Sequence, residues 1–120
     1  MKYMVMMFGD QATVIEQRSK EWIMEMIAFM RKVDQDLRAS GELVTAGGLA
    51  DPSRAKTVRI SNGMPVATDG PFAEAKESLA GYWILDVDNE ERAIEFASRL
   101  VAFTEGPVEV RECMDTAPEV

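Results

Sequence analysis

The residues Lys2-Tyr-Met-Val-Met-Met-Phe8 constrain the fold more than any other stretch of the chain. Side chains of a strand alternate between two faces, so Tyr3, Val5 and Met7 point one way and Met4, Met6 and Phe8 the other. Both sets are apolar. A strand with one solvated face carries a polar set, so this one is predicted to be central and covered on both sides. The pattern returns in residues 79–87, where Leu79, Trp83, Leu85 and Val87 alternate with Ala80, Tyr82 and Ile84. A chain of 120 residues has the length of one domain, and a domain of that size buries roughly two-thirds of the surface its unfolded form exposes. The two strands must therefore share one core.

The other elements arrange themselves around that pair. A helix is predicted to be running by Glu21 and to continue to about Ser40, because Ile23, Met26, Met30, Val33 and Leu37 step by three and four, with Trp22, Ile27 and Phe29 widening the stripe. Ser19 is a candidate N-cap, and Gly41 is the expected left-handed C-cap. Residues 9–18 are polar and fit no single element, although Thr13-Val-Ile-Glu16 has the spacing of a capping box. Residues 42–50 read as the second strand, in which Gly47-Gly48 marks a bend, a bulge or a close backbone approach. Asn62-Gly63, between residues 57–61 and 64–68, signals a hairpin. Pro65 confines the returning arm to an edge. Asp88 is the predicted N-cap of a second helix, with Glu91 in the capping-box position. Its expected buried stripe is Ala93, Ile94, Ala97, Leu100 and Val101, and Gly106-Pro107 ends it. Val108 to Cys113 is the last strand.

The order is β-α-β-hairpin-β-α-β, the split βαβ arrangement of an α+β, ferredoxin-like protomer whose two helices cover one face of an antiparallel sheet. Residues 1–114 make a single domain, and 115–120 are expected to fray. The sheet face opposite the helices keeps Met and aromatic side chains that the chain has nothing left to bury. A second copy packed sheet to sheet, a homodimer, is the expected cover.

Composition excludes several classes. A net charge of −8 and a pI near 4.5 oppose binding to nucleic-acid phosphates or to an anionic membrane surface. Cys113 is the one cysteine, which rules out an internal disulfide and fits a reducing, cytoplasmic setting. The opening apolar run is shorter than a signal peptide's layout and lacks a small-residue cleavage site, and no run has the length of a membrane span. Histidine is absent, which removes the commonest acid–base group and the commonest metal ligand. With one cysteine besides, a zinc site would have to be built from carboxylates. No metal or cofactor is expected.

Chemistry concentrates in Asp69-Gly-Pro-Phe-Ala-Glu-Ala-Lys-Glu77. Gly70, Pro71 and Phe72 form a turn, in which Gly supplies freedom in φ and Pro opens a helical turn. Asp69 at its start can serve as a general base on a pocket rim, or as the cap of the 72–77 turn. Glu74 and Glu77 can couple with Asp69 as acid and base, or form a solvated face with Lys76 between them. Lys76 can orient a substrate carboxylate or enolate oxygen, or lie idle on the surface. Tyr82 and Trp83 point to opposite faces of their strand; one joins the helix-side core and the other the dimer or pocket face, and either could stack on an aromatic ligand. Arg111 shares a face with Glu109, as an anion-binding pair in a cavity or as an exposed ion pair. The methionines are adaptable core, and Gly47-Gly48 lacks the following helix that a phosphate loop needs.

The run DGPFAEAKESLAGYWILDV resembles the signature of the DGPF branch of YCII-related proteins. The opening MKYMVMMFGD, the RASGELVTAGGL after the long helix and the closing GPVEVRE resemble it too. The resemblance implies a ferredoxin-like protomer in a dimeric α/β barrel, with a pocket between the sheet and the surrounding loops. Two positions depart from the pattern: Ala75 stands where Thr is typical, and Ala80-Gly81 where a Gly pair is typical. The His–Asp pair attributed to YCII proteins proper has no counterpart in a chain without histidine. The branch also implies association with extracytoplasmic-function sigma factors. The expected function is therefore a homodimeric small-molecule-binding or regulatory protein, with a sigma factor as a possible partner. The alternative is a cofactor-independent enzyme carrying out proton transfer, isomerisation or elimination on a small cyclic substrate, with Asp69 as base and Lys76 or Arg111 stabilising an oxyanion.

Overall fold

The strand expected at the centre is there. In the computed structural model, which describes residues 1–74 and 77–118 apart from the side chains of residues 11 and 12, β1 (Lys2–Phe8) is flanked by β5 (Leu79–Asp86) and β6 (Val108–Glu112), and β2 (Leu43–Gly48) pairs with the far side of β5. Every neighbouring pair in the order β2-β5-β1-β6 is antiparallel. This is the ferredoxin-like arrangement, with β3 (Lys56–Ser61) and β4 (Met64–Asp69) inserted as a separate two-stranded hairpin. Asn62 and Gly63 make its turn at φ 52° and 77°. Val58, Ile60, Met64 and Val66 on the hairpin are exposed.

Among the described residues three α-helices accompany the sheet rather than the expected two: α1 (Gln11–Gln17), α2 (Lys20–Ser40) and α3 (Glu90–Thr104). α1 falls in the stretch that fitted no single element. It starts at the corner after Gly9, where the Val14 amide donates to the Asp10 carbonyl. Its apolar side chains Val14 and Ile15 border a cavity instead of solid core, so they form no long stripe. α2 begins and ends at the residues foreseen: the Trp22 amide donates to Ser19 Oγ at 3.1 Å, and Gly41 caps at φ 77°. α3 is shifted by one residue at its start. Asn89, not Asp88, is the N-cap, its Oδ1 accepting from the Arg92 amide at 2.9 Å. Asn caps as well as Asp, and this register puts Arg92 where a capping box needs an acid. At the other end Glu105 takes the left-handed turn at φ 62°, ahead of Gly106. The buried stripe of α3 is Ala93, Phe96, Ala97 and Leu100, whereas Ile94 and Val101 are exposed. Phe96 wins its place by meeting Trp83 edge to face, with ring centroids 5.5 Å apart.

The core combines one face of β1 and β5 (Tyr3, Val5, Trp83, Leu85) with Val87, with Val33 and Leu37 of α2 and with the α3 stripe. The alternate set Met4, Met6, Phe8, Tyr82 and Ile84 is only half-buried. One end of this core is tied shut. Arg92 forks onto Glu42 through Nε and Nη2, both at 2.8 Å, and Ser40 Oγ donates to the same carboxylate. Those hydrogen bonds hold the Glu42 carboxyl below the ordinary glutamate range, and the carboxylate in turn raises the Arg92 guanidinium. The N-terminal ammonium adds bonds to Asp86 Oδ1 and the Val87 carbonyl at the same end. No helix among the described residues is long and apolar enough to cross a membrane.

Candidate functional site

The opposite end of the sheet is hollow. On the helix-side face, Trp83 pairs with Ala46, and Gly81 pairs with both Gly48 and Met7. Three of those positions carry a methyl group or nothing. α2 therefore bridges a gap there, and only Val33 and Leu37, in its second half, are buried. The result is a cavity of about 650 Å³, well inside the size range of small-molecule sites. The sheet floor is Ala46, Gly48 and Gly81; Ile23, Met26, Ile27 and Met30 of α2 form the roof, and Val14 and Ile15 of α1 stand at the side.

Glycine plays a different part on each face of the floor. A Cβ on Gly47 would come within 2.9 Å of the Tyr82 ring, which lies across it on the face away from α2. A Cβ on Gly48 would meet nothing within 4 Å. Gly48 thus leaves open space on the cavity side, in a backbone conformation that other residues can adopt.

Few polar groups reach this cavity. At its inner end Asp34 Oδ1 accepts from the Trp83 indole Nε1 at 3.1 Å, where the cavity meets the packed core. At the mouth are Asp10 and Arg18. The Arg18 guanidinium lies 4.5 Å from the centroid of the Trp22 ring and 3.9 Å from Glu105 Oε2. Trp22 and Phe29 both pack on Phe103, which fixes the first half of α2 over α3. Among the described residues no group of three or more acidic, cysteine or histidine side chains is placed to hold a metal ion.

Of the residues singled out in the sequence, Tyr82 and Trp83 belong to this cavity, Trp83 as its inner wall and Tyr82 behind its floor. The DGPF turn lies elsewhere, at the base of the hairpin. The Gly70 amide donates to the Ala55 carbonyl at 2.9 Å and the Gly70 carbonyl accepts from Thr57 Oγ1 at 2.8 Å. Asp69, at the end of β4, has an exposed carboxylate paired with Lys56 across the hairpin. Pro71, Phe72 and Glu77 border a shallower groove with Leu49, Pro52 and Thr57. Phe72 is 86% exposed, with the Arg59 guanidinium 5.5 Å from its ring. The Glu74 carbonyl accepts from the Glu77 amide and from Ser78 Oγ. Lys76 lies outside the described residues. Arg111 pairs with Glu109 at 2.6 Å on β6, with its side chain 73% exposed. The structure therefore brings Pro71, Phe72 and Glu77 together at the hairpin base, and holds Arg111 apart from them on β6. Asp34, Arg18 and Gly81 were missed in sequence as site residues, where only the Gly47-Gly48 pair hinted at an unusual approach.

A four-stranded antiparallel sheet of order β2-β5-β1-β6, with helices over a hollow end, defines a ferredoxin-like α+β protein. Within that class the YCII-related domain model matches residues 1–117, and the chain belongs to the YCII-related family. It is 32% identical over 100 residues to the uncharacterised protein R00369 of Rhizobium meliloti (strain 1021), a match covering 83% of this chain and 80% of that one.

Proposed function

We propose that the protein is a homodimeric small-molecule-binding protein whose ligand occupies the cavity between α2 and the sheet. The observation that carries this reading is the glycine-floored, largely apolar space of about 650 Å³. A domain that needed only stability would close such a gap, because an unfilled core position forfeits packing and transfer energy together. The exposed apolar residues of the hairpin and the half-buried Met4, Met6 and Ile84 support the dimer. A two-stranded hairpin exposed on both faces gains its stability from a neighbour. A regulatory role, with a sigma factor as partner, would be exerted through ligand occupancy of this same cavity.

Ligand-observed NMR against a library of compact apolar fragments tests the cavity. Hits should bind the wild-type chain and be lost in Gly48→Val, whose Cβ meets nothing within 4 Å and whose branch occupies the cavity side of the floor. Hits that ignore Gly48→Val would place binding elsewhere and contradict the reading. Sedimentation equilibrium at micromolar concentration tests the dimer, and a monomer mass would remove that part.

A further inference from the structure

We infer that the cavity selects a compact, flat, largely apolar molecule carrying a hydrogen-bond donor, which it holds on Asp34 at the inner end. This rests on the cavity being a ligand site, and adds what the ligand must be.

Four observations lead there. The floor is bare backbone at Gly48 and Gly81, and the roof is the flexible side chains Met26 and Met30 with Ile23 and Ile27. A slot between a flat floor and thioethers that adapt their shape suits a ring. Asp34 meets this slot with a carboxylate, which can only accept hydrogen bonds when ionised. Its Oδ1 is held by the Trp83 indole, so the group is oriented before any ligand arrives, and an oriented acceptor costs less to engage. Among the described residues, the charged group at the inner end of the cavity is the Asp34 carboxylate, and the guanidinium that borders the cavity is that of Arg18. That guanidinium is already over Trp22 and near Glu105, and the whole chain carries −8. An anionic ligand therefore meets an unfavourable field. Finally, Trp22 and Asp34 stand twelve residues apart on α2, ~18 Å at 1.5 Å per residue. A compact molecule engages one end only, and the end with a preset polar partner is Asp34.

The donor can be a neutral hydroxyl or a protonated amine, and one ring system tells them apart. The probes are 2-naphthol, 2-naphthylmethylamine and 2-naphthoate, titrated into the full-length wild-type protein, Asp34→Asn and Gly48→Val while following tryptophan fluorescence, with melting curves to confirm folding. Asparagine keeps a side-chain oxygen for the Trp83 indole and for a hydroxyl, but loses the charge. The expected result is that one or both donor-bearing probes bind wild type at least tenfold more tightly than naphthoate. Asp34→Asn should weaken the amine at least tenfold while changing naphthol about threefold or less, and Gly48→Val should weaken every probe. A tight amine with weak naphthol assigns the site to cations; the reverse assigns it to hydroxyls. Naphthoate binding as tightly as both donor probes, or a selectivity untouched by Asp34→Asn for an amine-selective site, overturns the inference while leaving the cavity as a ligand site. Binding of all three probes unaffected by Gly48→Val, or no binding at all, overturns the inference together with the cavity reading beneath it.

Discussion

At the Glu42 end of the sheet, Leu85 and Val87 are packed with Val33, Leu37 and Leu100, and Arg92 locks the outer surface onto Glu42. At the Gly48 end, the same β5 and the same α2 stand apart over a cavity of about 650 Å³. The elements are shared, so neither strand pairing nor helix propensity explains the difference. It comes from the side chains that fill the space between layers: leucine and valine on one side of Trp83, glycine and alanine on the other. Interiors are normally packed as densely as organic crystals. A domain that is dense at one end and hollow at the other keeps its packing at the first, and on the proposed reading leaves the second for a ligand.

That division can be broken most severely at the dense end. Leu85 is fully buried, and Leu85→Ala should cost about 3–4 kcal/mol by urea denaturation, since it removes transfer energy and leaves a void. A loss below about 1 kcal/mol would mean that this end is loose as well.

Glu42→Gln comes next, at on the order of 1–2 kcal/mol, between an exposed ion pair and a buried charged hydrogen bond. Its pH dependence has a definite sign. The folded-state pKa of Glu42 is lowered by the Arg92 and Ser40 hydrogen bonds, so its contribution is present above the ordinary glutamate value of about 4.3 and disappears as pH falls through the lower, folded value. The stability gap between wild type and Glu42→Gln should stay constant from neutrality to about pH 5 and close on further acidification. A gap that widened in acid would contradict the pairing.

At the hollow end the same kind of truncation should matter less. Met26 is half-buried and already borders open space, so Met26→Ala should cost no more than about 1 kcal/mol, the transfer term without a new void. Equal costs for Met26→Ala and Leu85→Ala would erase the distinction between the ends.

How much of this was legible in the sequence follows the same boundary. Ser19, Gly41 and Asn62-Gly63 act through their own neighbours, and the structure uses each as its local chemistry dictates. The double-sided apolarity of residues 2–8 likewise reads directly as a central strand. The N-cap of α3 was misplaced by one residue because Asp88 and Asn89 satisfy the same local rule. The cavity was hidden for a different reason. Gly48 and Gly81 become neighbours only through the β2–β5 register, and an empty space has no residue type of its own. Asp34 looks like any polar position on a helix until Trp83 is seen to donate to it. Asp69 drew attention because turn chemistry is conspicuous in a sequence, yet its carboxylate is exposed and paired with Lys56 across the hairpin.

The smallest change in stability is expected from Gly48→Val, within about 0.5 kcal/mol of wild type, because its Cβ meets nothing within 4 Å and the reduced freedom of the unfolded chain contributes only a small gain. The same variant gives the most direct test of the hollow end. Two-dimensional amide NMR of the 15N-labelled protein, titrated with 2-naphthol, reports on both ends in one spectrum. The amides of Gly47, Gly48 and Gly81 and the Trp83 indole should shift, those of Leu37, Leu85 and Val87 should hold still, and Gly48→Val should abolish the response. Shifts confined to the hairpin or the dense end, or shifts that persist in Gly48→Val, would contradict the cavity as the binding site.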